Sequence, residues 1–322
     1  MRRRDFIKAV AGSAMTWPLV VRAQQAMPVI GLLTPVLQIE EHLRGFQRGL
    51  QRAGLVEGDN VSILYRSAEN ETDRLPALAI DLARRGVAAI VAVGQQAAFA
   101  AKNATATIPV LFVAAEDPVK IGLVASLARP DGNLTGVNIL ATELVAKRLA
   151  LLRELLPAAA RVAVLVDPTS KTIAEPTLQG VESAARAMAL QIQVLNASNG
   201  REIGAAFAAI ERERPDALFV SIGPLFTARR VQLATLATRY MVPMTSGNRQ
   251  ITEAGGLMSY GADIRDAFRQ IGVYAARILK GAKPADLPVL QSTKFVLVIN
   301  LQTASSLGID VPATLLTRAD GT

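Results

Sequence analysis

The chain has 322 residues, a length that suits about two domains, and its 51% apolar and 19% charged composition excludes a disordered chain. It contains no cysteine, which excludes disulfides, thiol nucleophiles, cysteine-held metals and a lipid anchor on a cysteine. Its net charge of +8 leans on the start of the chain, where Arg2, Arg3, Arg4, Lys8 and Arg22 face only Asp5; the remainder is +4, with no basic run of the kind nucleic acid requires.

Residues 1–26 read as an export signal. The basic residues at the start precede a short, mostly apolar stretch from Ala9 to Val21, and Val21-Arg22-Ala23 offers a cleavage site. Arg3-Arg4-Asp5-Phe6-Ile7-Lys8 resembles the twin-arginine pattern; an ordinary secretory signal is the alternative. The apolar stretch falls short of the roughly 20 residues that span a bilayer, and polar residues break every later apolar run. A periplasmic location, with no membrane insertion of the mature chain, is the expectation.

From Val29 onward, short β-rich runs alternate with longer amphipathic stretches, the pattern of parallel α/β architecture. Val29 to Leu33 is the first strand. A helix follows from about Glu40, with Leu43, Phe46, Leu50 and Ala53 on one face and Gly54 ending it. Its single histidine, His42, reads as an exposed helix residue. Val61–Tyr65, Ala88–Val93, Ile108–Val113 and Leu134–Ile139 supply further strands. A helix near Leu144 to Leu156 marks the seam.

The same order then repeats. Val162–Val166, Gln193–Leu195, Leu218–Ser221 and Val242–Met244 follow their counterparts by 128–134 residues, and Gly256–Met258 follows by 121. Two lobes of like topology are predicted. A leftover helix (266–279) and strand (294–299) fit a chain that passes between the lobes three times, which places the hinge at three strands. The predicted lobes are 27–138 plus 262–288, and 139–261 plus 289–322.

In open α/β sheets, ligands lie beyond the carboxyl ends of the strands, where helix N-termini present free N–H groups. The residues that follow the strands are therefore the site candidates: Thr34, Gln95, Gln96, Glu116 and Asp117 from the first lobe, Asp167, Ser170, Ser221, Phe226 and Asn248 from the second, and Tyr260 near a crossover. Structural readings stand beside these. Asp117 would cap a helix from Val119 to Leu127, Asp167-Pro168 would open a turn, and Phe226 and Tyr260 would pack in the core rather than stack on a ligand. No phosphate loop, dinucleotide fingerprint, nucleophile elbow or zinc-protease motif is present. No catalytic residue, cofactor or metal is expected.

Several stretches carry a family resemblance. They are Asp117-Pro118-Val119-Lys120-Ile121-Gly122-Leu123, Asn133-Leu134-Thr135-Gly136-Val137, Ala254-Gly255-Gly256-Leu257-Met258-Ser259-Tyr260-Gly261, and Leu279-Lys280-Gly281-Ala282-Lys283-Pro284, with Lys294-Phe295 and Val298-Ile299-Asn300-Leu301 after them. The chain resembles the periplasmic substrate-binding components of ABC importers, in the group that includes tryptophan-binding members. It departs from the usual pattern at Asp131, where glycine is common, and at Ile251, where an aromatic is common. The resemblance implies the type I periplasmic binding protein fold: two doubly wound, Rossmann-like lobes on a three-crossover hinge. It also implies a monomer that delivers a small ligand to a permease and an ATPase. An amino acid or similar small zwitterion is the ligand class it suggests, with Glu116 or Asp117 taking the ammonium and helix starts near Gln95-Gln96 and Ser170 facing the carboxylate. The rival readings are an exported hydrolase, a sensing component for a membrane receptor, and the effector half of a transcription regulator, which would need a helix-turn-helix where the export signal stands.

Overall fold

The computed structural model describes residues 27–36 and 40–321; the export-signal reading falls on residues outside these. The first lobe opens with β1 (Val29–Thr34), α1 (Glu40–Gln51), β2 (Ser62–Ser67), α2 (Leu75–Arg84), β3 (Ala89–Val93), α3 (Gln95–Ala104), β4 (Val110–Ala114) and β5 (Leu134–Asn138). The second follows with α4 (Val145–Leu155), β6 (Arg161–Val166), α5 (Lys171–Ala187), β7 (Gln191–Asn196), α6 (Gly200–Glu213), β8 (Ala217–Val220), α7 (Pro224–Ala228), α8 (Arg230–Arg239), β9 (Met244–Ser246), α9 (Arg249–Glu253) and β10 (Met258–Ala262). The chain then returns to the first lobe for α10 (Ile264–Leu279) and β11 (Leu290–Gln291), and ends in the second with β12 (Phe295–Ile299), α11 (Leu301–Ser306) and α12 (Ala313–Leu316).

Each lobe is built on a six-stranded sheet, ordered β11-β5-β4-β3-β1-β2 in one and β12-β10-β9-β8-β6-β7 in the other. The pairings are parallel apart from β10 with β12. Central strands such as β4 and β8 are buried along their whole length, as expected of parallel sheets covered by helices on both faces. Apolar side chains pack on each face of each sheet: Phe46, Val91 and Ile271 on one side of the first sheet, Leu82, Ile90 and Phe112 on the other.

Three segments pass between the lobes: β5 to α4, β10 to α10, and β11 to β12. The third boundary lies later than the sequence pattern suggests. Leu290 and Gln291 pair with Val137 and Asn138, so the first lobe extends through Gln291 rather than stopping at 288. The expected helix from Val119 to Leu127 does not form either. Gly122 adopts φ +73°, and the amides of Leu123 and Val124 turn back to Pro118 O. A left-handed glycine there ends any helix after one turn.

One packing feature reaches directly into the site. On α1, Gly45 and Gly49 let α10 approach backbone to backbone: a Cβ on Gly49 would lie 2.1 Å from Arg269 O, and one on Gly272 would lie 2.2 Å from Phe46 O. Only glycine fits such an approach. One helical turn before these contacts stand His42 on α1 and Phe268 on α10. Their rings stack with centroids 4.6 Å apart and 15° between planes.

Candidate functional site

A cavity of about 220 Å³ lies between the lobes, at the carboxyl ends of the strands. Thr34, Gln95, Gln96, Glu116 and Asn248 line it, as the strand-end argument anticipates. The walls between them are largely apolar, with Leu43, Ile139, Ile173, Ile222, Ile264 and Phe268 among the contributors.

The other six candidates are held elsewhere. The Asp117 carboxylate accepts from the amides of Val119 (2.9 Å) and Lys120 (3.3 Å), so it caps its own turn. Asp167 Oδ1 accepts from Thr169 N and Thr169 Oγ1, which makes it a turn opener. Ser170 sits at the start of α5, buried, with its hydroxyl directed to Asp167. Ser221 is buried outside the cavity lining. Phe226 is fully buried among Phe207, Leu233 and Val242, so core packing claims it. Tyr260 is half-buried, packs on the second lobe's core and stands beside the Phe295 ring.

Glu116 is the unusual group. It is only 4% exposed, and burial pushes its carboxyl up to about 7, opposed in part by hydrogen bonds from the main chain and Thr172. Among the described residues no cation lies within salt-bridge distance of it. A chain of hydrogen bonds crosses the cleft here. Gln95 Nε2 of the first lobe donates to Thr172 Oγ1 of the second, and Thr172 Oγ1 donates to Glu116 Oε1 at 3.5 Å. The remaining oxygens, Gln95 Oε1 and Glu116 Oε2, are buried and have no hydrogen-bond partner. They are the only side-chain atoms of that kind among the described residues lining this cavity. Two buried oxygens without partners, one of them on a carboxyl that burial keeps partly protonated, share one largely apolar cavity.

The aromatic part of the wall was not legible as such in the sequence. His42 is not an exposed helix residue: it is half-buried, lines the cavity and stacks on Phe268. Burial lowers its pKa to about 4, so the imidazole is neutral at physiological pH. The one signal in the sequence is that His42 stands four residues before Phe46, one helical turn from a buried position, while its stacking partner lies more than 220 residues away on α10.

On the opposite wall the polar groups satisfy one another. Asn248 Oδ1 accepts from Gln250 N and caps α9, while its Nδ2 donates to Thr227 Oγ1 at 3.0 Å. Thr227 in turn donates to Gly223 O at 2.9 Å. Thr34, across the cleft, likewise spends its hydroxyl on Val36 O.

An apolar, concave pocket with a few convergent polar groups, set between two doubly wound lobes, defines a ligand-binding protein of the type I periplasmic binding fold. The chain belongs to the ABC transporter substrate binding protein family, whose model matches residues 37–322. It is a substrate-binding protein, not an enzyme. It is 25% identical over 269 residues to a tyrosine-binding protein of Clostridioides difficile, covering 84% of this chain and 77% of that one. A conserved domain protein of Vibrio cholerae superposes with a TM-score of 0.85 at 25% identity, over 92% of this chain and 99% of that one. A Streptococcus pneumonia domain solved in complex with L-Trp superposes with a TM-score of 0.80 at 24% identity, over 91% and 99%. Among the described residues no helix is long and apolar enough to cross a membrane, and no cluster of metal-ligating side chains occurs.

Proposed function

We propose that this protein captures an amino acid with an aromatic or large apolar side chain in the interlobe cleft and delivers it to the permease and ATPase of an importer. The observation that carries this reading is the pair of buried, partnerless oxygens, Glu116 Oε2 and Gln95 Oε1, in the same cavity as the stacked His42–Phe268 rings. An ammonium has three donors and no acceptor. Placed against these oxygens it satisfies both, and its charge draws the Glu116 proton off, converting a costly buried acid into a charge-assisted pair. The neutral His42 ring and Phe268 offer an apolar shelf for a side chain. The kinship with a tyrosine-binding protein supports the same ligand class.

Closure of the lobes about the three crossing segments completes the picture. The Gln95 to Thr172 hydrogen bond ties the two lobes across the cleft, and opening would break it. Small-angle scattering should give a smaller radius of gyration at ligand saturation than without ligand; coincident curves would count against closure. Export through the twin-arginine route belongs to the same reading. Replacing Arg3 and Arg4 together by lysine should leave precursor in the cytoplasm, and normal periplasmic accumulation would eliminate that route.

The direct test is a thermal-shift screen of the common amino acids, followed by calorimetry on the hits. Stabilisation by aromatic or large apolar amino acids is expected. If none acts while another solute class does, the amino-acid reading is wrong.

A further inference from the structure

Arg148 is the largest fully buried side chain among the described residues, at 1% exposure. It lies on α4, the first helix after the first crossing, and among the described residues no carboxylate lies within 4 Å of it. Its recorded partners are main chain and ring. Nε donates to Tyr260 O at 2.9 Å, Nη2 to Ala141 O at 3.5 Å, and the guanidinium sits 5.4 Å from the centre of the Phe219 ring. Carbonyl dipoles and a ring face soften the cost of burying a cation but do not cancel its charge. Burial draws its pKa down to about 10, which leaves it fully charged at neutral pH.

The position of this charge gives it a role. Ala141 and Gly247 both line the cavity, and Gly247 packs directly on the guanidinium: a Cβ at 247 would lie 2.5 Å from Nη2. The cation therefore stands one layer behind the second-lobe wall of the cleft, in surroundings that screen it poorly. Glu116 stands on the first lobe. The two groups give the cleft an acidic side and a positive side in different lobes. Ala141 belongs to the first crossing segment and Tyr260 to the strand that leads into the second, so the same side chain also braces two of the three crossings.

We propose that Arg148 is a positioning residue that supplies the positive pole of the binding cleft, so that the ligand must carry an anionic group, its carboxylate, turned toward the Gly247 wall. This rests on the reading of the cleft as a binding site and deepens it: Glu116 orients the ammonium, Arg148 selects for the carboxylate, and a zwitterion satisfies both. The mutual neutralisation comes from the ligand instead of from an ion pair inside the protein. Its glycine wall has a reason too, since any side chain at 247 would collide with the guanidinium and move the charge away.

The test compares ligands that differ only in charge, using the mature full chain. Calorimetry with L-tyrosine and L-tryptophan, each against its carboxamide, should show the acid bound about 10- to 50-fold more tightly by the wild type, the scale expected of one poorly screened charge at several ångströms. In Arg148→Met this preference should shrink to within about threefold, while Arg148→Lys retains most of it. A purely structural Arg148 would instead weaken acid and amide alike in the Met variant. That result, or equal binding of acid and amide by the wild type, overturns the proposal. Circular dichroism checks each variant's fold, and if the Met variant does not fold, the wild-type ratio and the Lys variant decide. Phenyl-substituted propionates, which keep the carboxylate and lack the ammonium, separate the two readings. If the wild type binds these and no amino acid, the amino-acid reading fails and the role of Arg148 stands; if it binds the amides as tightly as the amino acids, the reverse holds.

Discussion

The two walls of the cleft come from the same topology and carry opposite hydrogen-bonding patterns. On the second lobe, Asn248, Thr227 and Gly223 bond to one another and leave no acceptor in the cavity unpaired. On the first lobe, Gln95 and Glu116 keep a buried oxygen each without a partner, in the cavity that the His42–Phe268 stack also lines. A wall whose polar groups bond to one another shapes the space; a wall with unpartnered oxygens is the one the proposed reading gives to ligand recognition. Repeating an architecture thus did not repeat its chemistry. The strand ends supplied equivalent positions, and their side chains left one wall with its polar groups paired and the other with two buried oxygens unpartnered.

The comparison can be broken first through the helix pair that positions the aromatic stack. Gly49→Ala should destabilise the protein by about 3 kcal/mol, the upper range for overpacking, because the added carbon meets main chain that cannot rotate away. Urea denaturation measures it. Gly204→Ala, in a second-lobe helix where nothing lies within 4 Å of the added carbon, should instead stabilise by about 0.5–1 kcal/mol. Equal effects of the two would show that the close α1–α10 approach is not essential.

The next effect is on affinity. Glu116→Gln should weaken amino-acid binding by about 1.5–3 kcal/mol, the worth of a hydrogen bond to a charged group. Asn248→Ala should cost about 1 kcal/mol of stability through the lost helix cap and less affinity than Glu116→Gln. Asp117→Asn keeps an oxygen for its two turn amides and should leave affinity within a factor of about two. If calorimetry finds Asn248 or Asp117 more important than Glu116, the assignment of recognition to the first-lobe wall at Glu116 is wrong.

A subtler test uses pH. The native Glu116 carboxyl titrates near 7 against 4.5 in an unfolded chain, so between those values the native state holds a proton that the unfolded chain has released. Its contribution is therefore present at acid pH and is lost as pH rises through 7. His42 runs the other way. Its folded pKa of about 4 lies below the ordinary 6.5, so it disfavours the native state at low pH and the deficit disappears as pH rises to 6.5. The two oppose each other in the wild type. Subtracting wild type from Glu116→Gln isolates the first: the variant should gain relative stability from pH 4.5 to 7, by up to about 3 kcal/mol. A flat difference would mean that Glu116 is not buried as a neutral acid. Affinity for a zwitterion should rise over the same window, as the carboxylate form becomes available.

Local pattern sufficed for a large part of this protein. Alternating β-rich runs and amphipathic stretches identified the two α/β lobes and their repeat, and the leftover helix and strand pointed to three crossings. Both follow from nearest-neighbour physics, since periodicity says which face of an element is buried. The rule that ligands meet strand ends also placed Thr34, Gln95, Gln96, Glu116 and Asn248 on the cavity. What local pattern could not decide was which strand-end residues face the cleft and which spend their side chains on their own turn, as Asp117 and Asp167 do, or on the core, as Phe226 does. Asp117 and Glu116 are adjacent and chemically alike, yet the folded chain turns one onto its own turn amides and buries the other in the cleft. His42 with Phe268, and Arg148 with Tyr260, are each brought together by contacts between elements more than 100 residues apart. Such partners carry no local signature, because burial, orphaned acceptors and an unpaired buried charge exist only once tertiary packing has excluded water from around them.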